Sequence, residues 1–320
     1  MISRRLIRIK IVQVLYSHFS DDNSSLDNAE KEFNFSIKKA YDLYHYLIVL
    51  LLKTADYSND RIELAKQKNL PTPEDLHPNT RFVDNRVIGI LRDSYSLNNY
   101  LQSNKLSWVD YPELIRKLYL KISEKDYFQR YMNGPEPDFK KDQKLIADIF
   151  TTEFEEWDYL YQILEEQSIY WNDDIEFVLS MIIRTVEGFS DNEVDERRLM
   201  PLYKNEDDRD FGKQLLRKSV LKYSQFREII DKYTKNWEVE RIASMDIHIM
   251  VAALTEIMEF PSIPVKVTLN EYIDIARYYS TSKSNEFVNG ILDKIVNDLK
   301  KDNKIIKTGR GLIDESKKGH

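Results

Sequence analysis

Residues 242–300 read IASMDIHIMVAALTEIMEFPSIPVKVTLNEYIDIARYYSTSKSNEFVNGILDKIVNDLK. Ile242, Met245, Ile249, Leu254 and Ile257 recur at helical spacing, and Pro261 and Pro264 close that segment. A second segment carries Val267, Leu269, Ile273 and Ala276. A third, from about Lys283 to Lys300, puts Phe287, Val288, Ile291, Leu292 and Ile295 on one side. Gly290 lies inside this third helix at a cost of ~1 kcal/mol relative to alanine, which predicts a close approach there by another backbone or a ligand. Nothing in the stretch alternates with the period of a strand, so it reads as three helices.

The same periodicity continues outward. Phe211, Leu215, Val220 and Phe226 fit one helical stretch running toward Tyr233, and Ser190–Asp208, interrupted by Pro201, reads as a linker. Helices are expected over about 173–188, 139–167, 111–122, 81–103 and 28–57. Breaks fall at LPTPEDLHPNT (70–80) and at Asn133–Pro137, because proline cannot continue a helix. The first helix, Ser3 to about Phe19, carries Leu6, Ile9, Val12, Gln13, Tyr16 and Phe19 at helical spacing. Only 8 glycines and 9 prolines occur in 320 residues, too few for the corners of a sandwich or barrel. The fold class is therefore all-α, and the length suggests two domains.

Net charge is −7, which argues against nucleic-acid binding by the whole surface. Its distribution is uneven. Residues 1–20 carry Arg4, Arg5, Arg8 and Lys10 and no acid, so the cations sit where the helix dipole disfavours them. Phosphate contact would explain that inversion; a solvated helix end is the alternative. Thr151–Glu176 holds nine acids and no Lys or Arg, and Lys300–His320 holds seven bases against three acids.

The absence of cysteine removes disulfides, thiolate metal sites and thiol nucleophiles. Charges run through the opening residues, and the longest apolar run, Tyr46–Leu52, is too short to span a bilayer. A cytoplasmic protein with no membrane association is expected. There is no glycine-rich phosphate loop, and the five histidines never pair at i,i+4. His248, flanked by isoleucines, reads as a structural or partner-facing residue. Ser280-Thr281-Ser282-Lys283, Ser190-Asp191-Asn192 and Lys307-Thr308-Gly309 match the short signatures of penicillin-recognising enzymes, but in the wrong order. No enzyme and no cofactor is implied.

Several segments together carry a family resemblance. NWEVERIASMDIHIMVAALTEI (236–257), IPVKVTLNEYIDIARYYS (263–280) and SKSNEFVNGILDKI (282–295) resemble the NusB family of transcription antitermination factors. SRRLIRIKIVQVLYSHF (3–19) is similar to that family's arginine-rich first helix, and DFGKQLLRKSVLKYSQFREIIDKY (210–233) to the helix before its tryptophan-containing segment.

The resemblance implies a non-enzymatic, NusB-like helical bundle with an additional helical extension. Its core is expected in 1–60 together with 200–302, the extension in 61–199 and a flexible basic tail in 303–320. The implied function is antitermination on ribosomal RNA operons and pre-rRNA maturation. The implied partners are boxA-type RNA, the ribosomal protein NusE and the transcription elongation complex. By position, Arg4, Arg5 and Arg8 would grip phosphates, Gln13 and Tyr16 match the Gln-x-Leu-Tyr element, and Phe287 and Asn289 would meet bases. Asp246 and Glu256 fall on the helix that resembles the ribosomal-protein surface. Glu286 stands where the family often has lysine, which weakens the local positive field. Two rival readings are an assembly scaffold without RNA contact and an rRNA cytosine methyltransferase, which needs cysteines this chain lacks.

Overall fold

The Ser3 hydroxyl accepts a hydrogen bond from the Leu6 amide and opens α1 (Arg4–Ser20) in the computed structural model, which describes residues 1–21, 24–190, 199–235 and 242–313. The chain continues through α2 (Leu26–Lys66), α3 (Pro73–Leu76), α4 (Arg86–Arg92), α5 (Tyr95–Asn104), α6 (Pro112–Ser123), α7 (Asp126–Asn133) and α8 (Phe139–Ile149). It then forms α9 (Asp158–Gln167), α10 (Ile175–Glu187), α11 (Glu206–Leu221), α12 (Tyr223–Thr234), α13 (Ser244–Glu259), α14 (Val265–Tyr279) and α15 (Ser284–Lys301). Among the described residues there is no β-strand, and no helix is long and apolar enough to cross a membrane.

Two compact units share the chain: an inserted unit of Met1 with Lys38–Leu202, and a terminal unit of Ile2–Ile37 with Tyr203–His320. The terminal unit is organised around α13, in which every residue from Asp246 to Ile257 is buried. A mostly apolar helix with no polar face to offer water must be covered on all sides, and α1, α11, α12, α14 and α15 pack against it. Gly212 on α11 permits close contact with α2 and α1, since a Cβ there would lie 2.8 Å from Phe33 and 3.1 Å from Ile7. The buried face of α14 differs from the expected one. Val265, Thr268, Tyr272, Ile275 and Ala276 are buried while Val267 is exposed, because Thr268 and Tyr272 turn inward to Glu256.

The division at residues 37 and 38 lies inside α2, well before the boundary near residue 60 read from the sequence. Side-chain contacts explain it. Tyr46 stacks on Trp108 at 3.9 Å, the Trp108 indole donates to the Tyr46 carbonyl, and the Trp171 indole donates to the Lys39 carbonyl. Residues 38–60 therefore belong with the inserted unit. The tail also departs from expectation, because its described part is packed. The Lys307 ammonium donates to the Phe260 carbonyl and the Thr308 amide to that of Pro261. Gly311 has no room for a Cβ, which would lie 2.0 Å from the Pro261 oxygen.

Three stretches expected to be single helices are broken. The 81–103 segment divides at Asp93 and Ser94, between α4 and α5. The 139–167 segment passes through a π-turn at Phe150–Phe154, which buries Glu153, and then through Glu156 at φ 57°. The 210–233 segment divides at Lys222, between α11 and α12.

Candidate nucleic-acid interface

Each arginine of α1 meets a carboxylate. Arg4 Nε donates to Asp208 at 2.7 Å, with its guanidinium 4.9 Å from the Phe211 ring centre. Arg5 reaches Asp274 at 3.3 Å. Both side chains stay accessible, at 40% and 43% exposure. Arg8 is different. It is 4% exposed and grips Glu256 with two parallel bonds of 2.8 Å. Glu256 is fully buried and also accepts from Thr268 Oγ1 at 2.8 Å and the Tyr272 hydroxyl at 3.3 Å. Burial pulls the Arg8 guanidinium toward deprotonation, but the Glu256 bonds and charge outweigh it, so its pKa is raised. The same burial, with Glu256 beside it, pushes the Tyr272 hydroxyl well above the ordinary tyrosine range.

The far end of α1 carries aromatic rings. Tyr16 and Phe19 are exposed, and Phe19 stacks on Tyr223 at 3.6 Å. Beneath them lies His248, buried, edge-on to Tyr16 at 5.8 Å and 3.3 Å from the Ser244 hydroxyl. Desolvation, aided by the Arg227 charge, lowers its pKa to about 4, so the ring is neutral near pH 7. One half-turn earlier in α13, Asp246 accepts a 2.9 Å bond from Ser284, the first residue of α15. Phe287 and Asn289 follow within two turns, the first half-buried and the second exposed. The start of α13 thus connects Tyr16 of α1 to the opening of α15.

Four of the expected RNA contacts, Arg5, Tyr16, Phe287 and Asn289, together with half-exposed Arg4, retain accessible surface. Three expectations are corrected. Arg8 has no surface with which to grip a phosphate, because its guanidinium is buried between Glu256, which takes Nε and Nη2, and Glu271, 3.8 Å from Nη1. Glu256 is the other half of that pair and cannot contact a partner protein. Asp246 is 3% exposed and fastens α15 to α13. At Gly290 one of the two expected neighbours is missing: among the described residues outside its own helix turn no heavy atom lies within 4 Å of a Cβ placed there, so no second backbone approaches it and the space is left for a ligand. His248 is structural. Trp237, which contributed to the resemblance, lies outside the described residues, as do Asp191 and Asn192.

Sequence reasoning missed Asp208, Asp274 and Phe211 as partners of the arginines. They lie some 200 to 270 residues away in the chain, and no local pattern announces such pairing. The one hint was global, since an α1 without acids in a net-acidic protein must find its counter-charges elsewhere.

Comparison with known proteins agrees with this architecture. The model of the NusB family matches residues 176–297. A transcription antitermination protein NusB from Salinibacter ruber is 42% identical over 114 residues, covering 36% of this chain and 71% of that protein. One from Chloroherpeton thalassium is 46% identical over 85 residues, 27% of this chain and 40% of that protein. One from Natranaerobius thermophilus is 39% identical over 74 residues, 23% of this chain and 53% of that protein. No solved structure matches the chain. With an all-helical core built on α13 and a match covering most of a relative, the chain belongs to the NusB family.

Proposed function

We propose that this protein is a cytoplasmic, non-catalytic antitermination factor that binds boxA-type RNA together with the ribosomal protein NusE. In this role it supports transcription of ribosomal RNA operons and pre-rRNA maturation as part of the elongation complex. The observation that carries the reading is the set of accessible groups on α1 and α15: Arg4 and Arg5 for phosphates, Tyr16 and Phe287 for stacking, and Asn289 for a base edge. Open space at Gly290 leaves the start of α15 approachable.

Because both accessible arginines are already ion-paired and the chain is net acidic, the isolated protein should bind RNA weakly. A basic partner would complete the surface. Fluorescence anisotropy with a boxA-type oligonucleotide, with and without NusE, tests this. Binding by the pair should be at least tenfold tighter than by the chain alone. Its logarithmic salt dependence should be shallow, of the order of two or three phosphate contacts, and should flatten when Arg4 and Arg5 are both changed to alanine. An unaltered slope removes α1 from the RNA. The ion pairing also favours a second reading, a scaffold for ribosome assembly that does not touch RNA. Crosslinking of RNA to this chain in the presence of NusE excludes that alternative, and its failure supports it.

A further inference from the structure

The inserted unit contains a cavity of about 350 Å³ whose walls suit a flat anion. Tyr127 and Tyr131, one turn apart on α7, both line it. Their hydroxyls are committed elsewhere. Tyr127 donates to Glu153 at 3.1 Å and Tyr131 to Asp142 at 2.7 Å, and both carboxylates are buried. Each ring is thus clamped by its polar end and offers the cavity aromatic surface, not a hydroxyl.

The segment after α7 is braced as well. Pro135 and Pro137 line the cavity from the segment after α7. Arg81 holds that segment by donating to the carbonyls of Tyr131, Met132 and Gly134, and Arg86 donates to the Pro137 carbonyl at 3.0 Å. Rigid apolar walls cost little ordering when a ligand enters.

The charge at the rim is positive. Lys144 is engaged by Asp148 at 2.9 Å, but Arg130 and Lys141 are exposed and their side chains have no ion pair or hydrogen bond among the described residues. Two uncommitted cations beside fixed rings and prolines fit a ligand with one planar face and one anionic group. The volume lies within the range of small-molecule sites. The unit as a whole carries 21 Lys and Arg against 30 Asp and Glu, which would repel a long polyanion and tolerate a single phosphate.

We propose that this cavity binds one nucleotide, with its base against Tyr127, Tyr131 and the two prolines and its phosphate on Arg130 and Lys141. The nucleotide can be free or the terminal unit of an RNA, since both present the same base and phosphate. This site is independent of the surface on α1 and α15.

The test titrates the full chain with AMP, GMP, CMP and UMP, and in parallel with adenosine, inorganic phosphate and a 5′-phosphorylated RNA tetramer, by calorimetry. At least one mononucleotide should bind saturably, and at least tenfold tighter than adenosine or phosphate. Arg130→Ala with Lys141→Ala should weaken it tenfold or more without moving the thermal midpoint, because neither side chain has a partner to lose. If the tetramer binds tighter than every mononucleotide, the source is an RNA end; if a mononucleotide binds tighter, it is the free pool. The proposal is overturned if no mononucleotide saturates by millimolar concentration. It is equally overturned if phosphate alone binds as well, or if the double substitution changes nothing.

Discussion

In the terminal unit the cation that meets buried Glu256 is itself buried, whereas in the inserted unit buried Glu153, Asp142 and Asp42 each accept from a tyrosine hydroxyl and the cations that reach them stay partly exposed. The tyrosine bonds measure 3.1 Å from Tyr127, 2.7 Å from Tyr131 and 2.7 Å from Tyr100. Cations attend these acids from partly exposed positions: Lys121 and Arg86 near the first two, and Lys39 at 3.9 Å from the third. The terminal unit carries 26 Lys and Arg against 24 Asp and Glu, and the inserted unit 21 against 30. Near balance permits the first to neutralise Glu256 with a cation inside the core, while its buried Asp246 is held by the Ser284 hydroxyl. The second, short of cations, spends neutral donors inside and keeps its positive charges toward the surface.

The contrast sets the scale of damage when a partner is deleted. Arg8→Ala strips a fully buried carboxylate of its counter-charge, and the cost should be ~3–5 kcal/mol. Tyr131→Phe removes one neutral donor while Arg86 still reaches Asp142, so ~1 kcal/mol is expected. Urea unfolding of both variants at pH 7 measures the difference. Equal losses would mean that the two ways of holding an acid are energetically the same, and the comparison would lose its basis.

Acid should weaken both units through one histidine each. His45 in the inserted unit stacks on Tyr100 at 3.9 Å and donates from Nδ1 to the Tyr41 carbonyl; His248 in the terminal unit has no partner for Nδ1. Burial lowers both pKa values to about 4. The folded rings stay neutral while unfolded ones take up a proton below about pH 6.5, so the unfolded state binds more protons between pH 4 and 6.5. Stability is therefore unaffected above pH 6.5 and falls as pH drops through that window, by at most ~3 kcal/mol per ring. Comparing unfolding at pH 7 and pH 5 for His45→Gln and His248→Gln checks this. Each substitution should shrink the acid loss, and an unchanged acid limb in both variants would show that these rings do not titrate in the unfolding.

How much of this could be read from residues alone follows from the range of each interaction. α13 is legible as a helix from the spacing of Ile249, Leu254 and Ile257, but not as the centre of the bundle, because Asp246, His248 and Glu256 interrupt its apolar run. α1 and α15 are legible from their periodicity, while Tyr16, Phe287 and Asn289 enter only as contacts that the resemblance proposes. The role of Arg8 was not legible. As letters it is indistinguishable from Arg4 and Arg5, and only the packing of α1 on α13 decides that it faces Glu256. The boundary inside α2 was hidden for a similar reason, since the helix continues through it and only the Tyr46–Trp108 stack marks the change of unit. Helix α7 escaped notice because DYFQRYMN is short and polar, and its tyrosines matter through buried acids whose segments lie elsewhere in the chain.

The smallest expected effect separates charge from exchange at the proposed RNA surface. If RNA takes Arg5, its phosphate must displace the Asp274 carboxylate, and Asp274→Asn should raise affinity about two- to fivefold, the scale of an exposed ion pair. Removing any nearby negative charge would push in the same direction, so the single variant decides nothing. The cycle with Arg5→Ala does. Asp274 also pairs with Arg277 at 3.3 Å, so the cycle is run in an Arg277→Ala background. Once Arg5 is gone there, no guanidinium remains to be released, and Asp274→Asn should have no further effect on RNA affinity. Glu286→Gln, at an exposed position beside Phe287, should instead raise affinity equally with and without Arg5. If Asp274→Asn also helps equally in both backgrounds, the carboxylate acts only as a repelling charge and the exchange is wrong. If the unaltered protein with NusE binds no RNA at all, it is the interface on α1 and α15 that fails, and the ion pairs of α1 serve the fold alone.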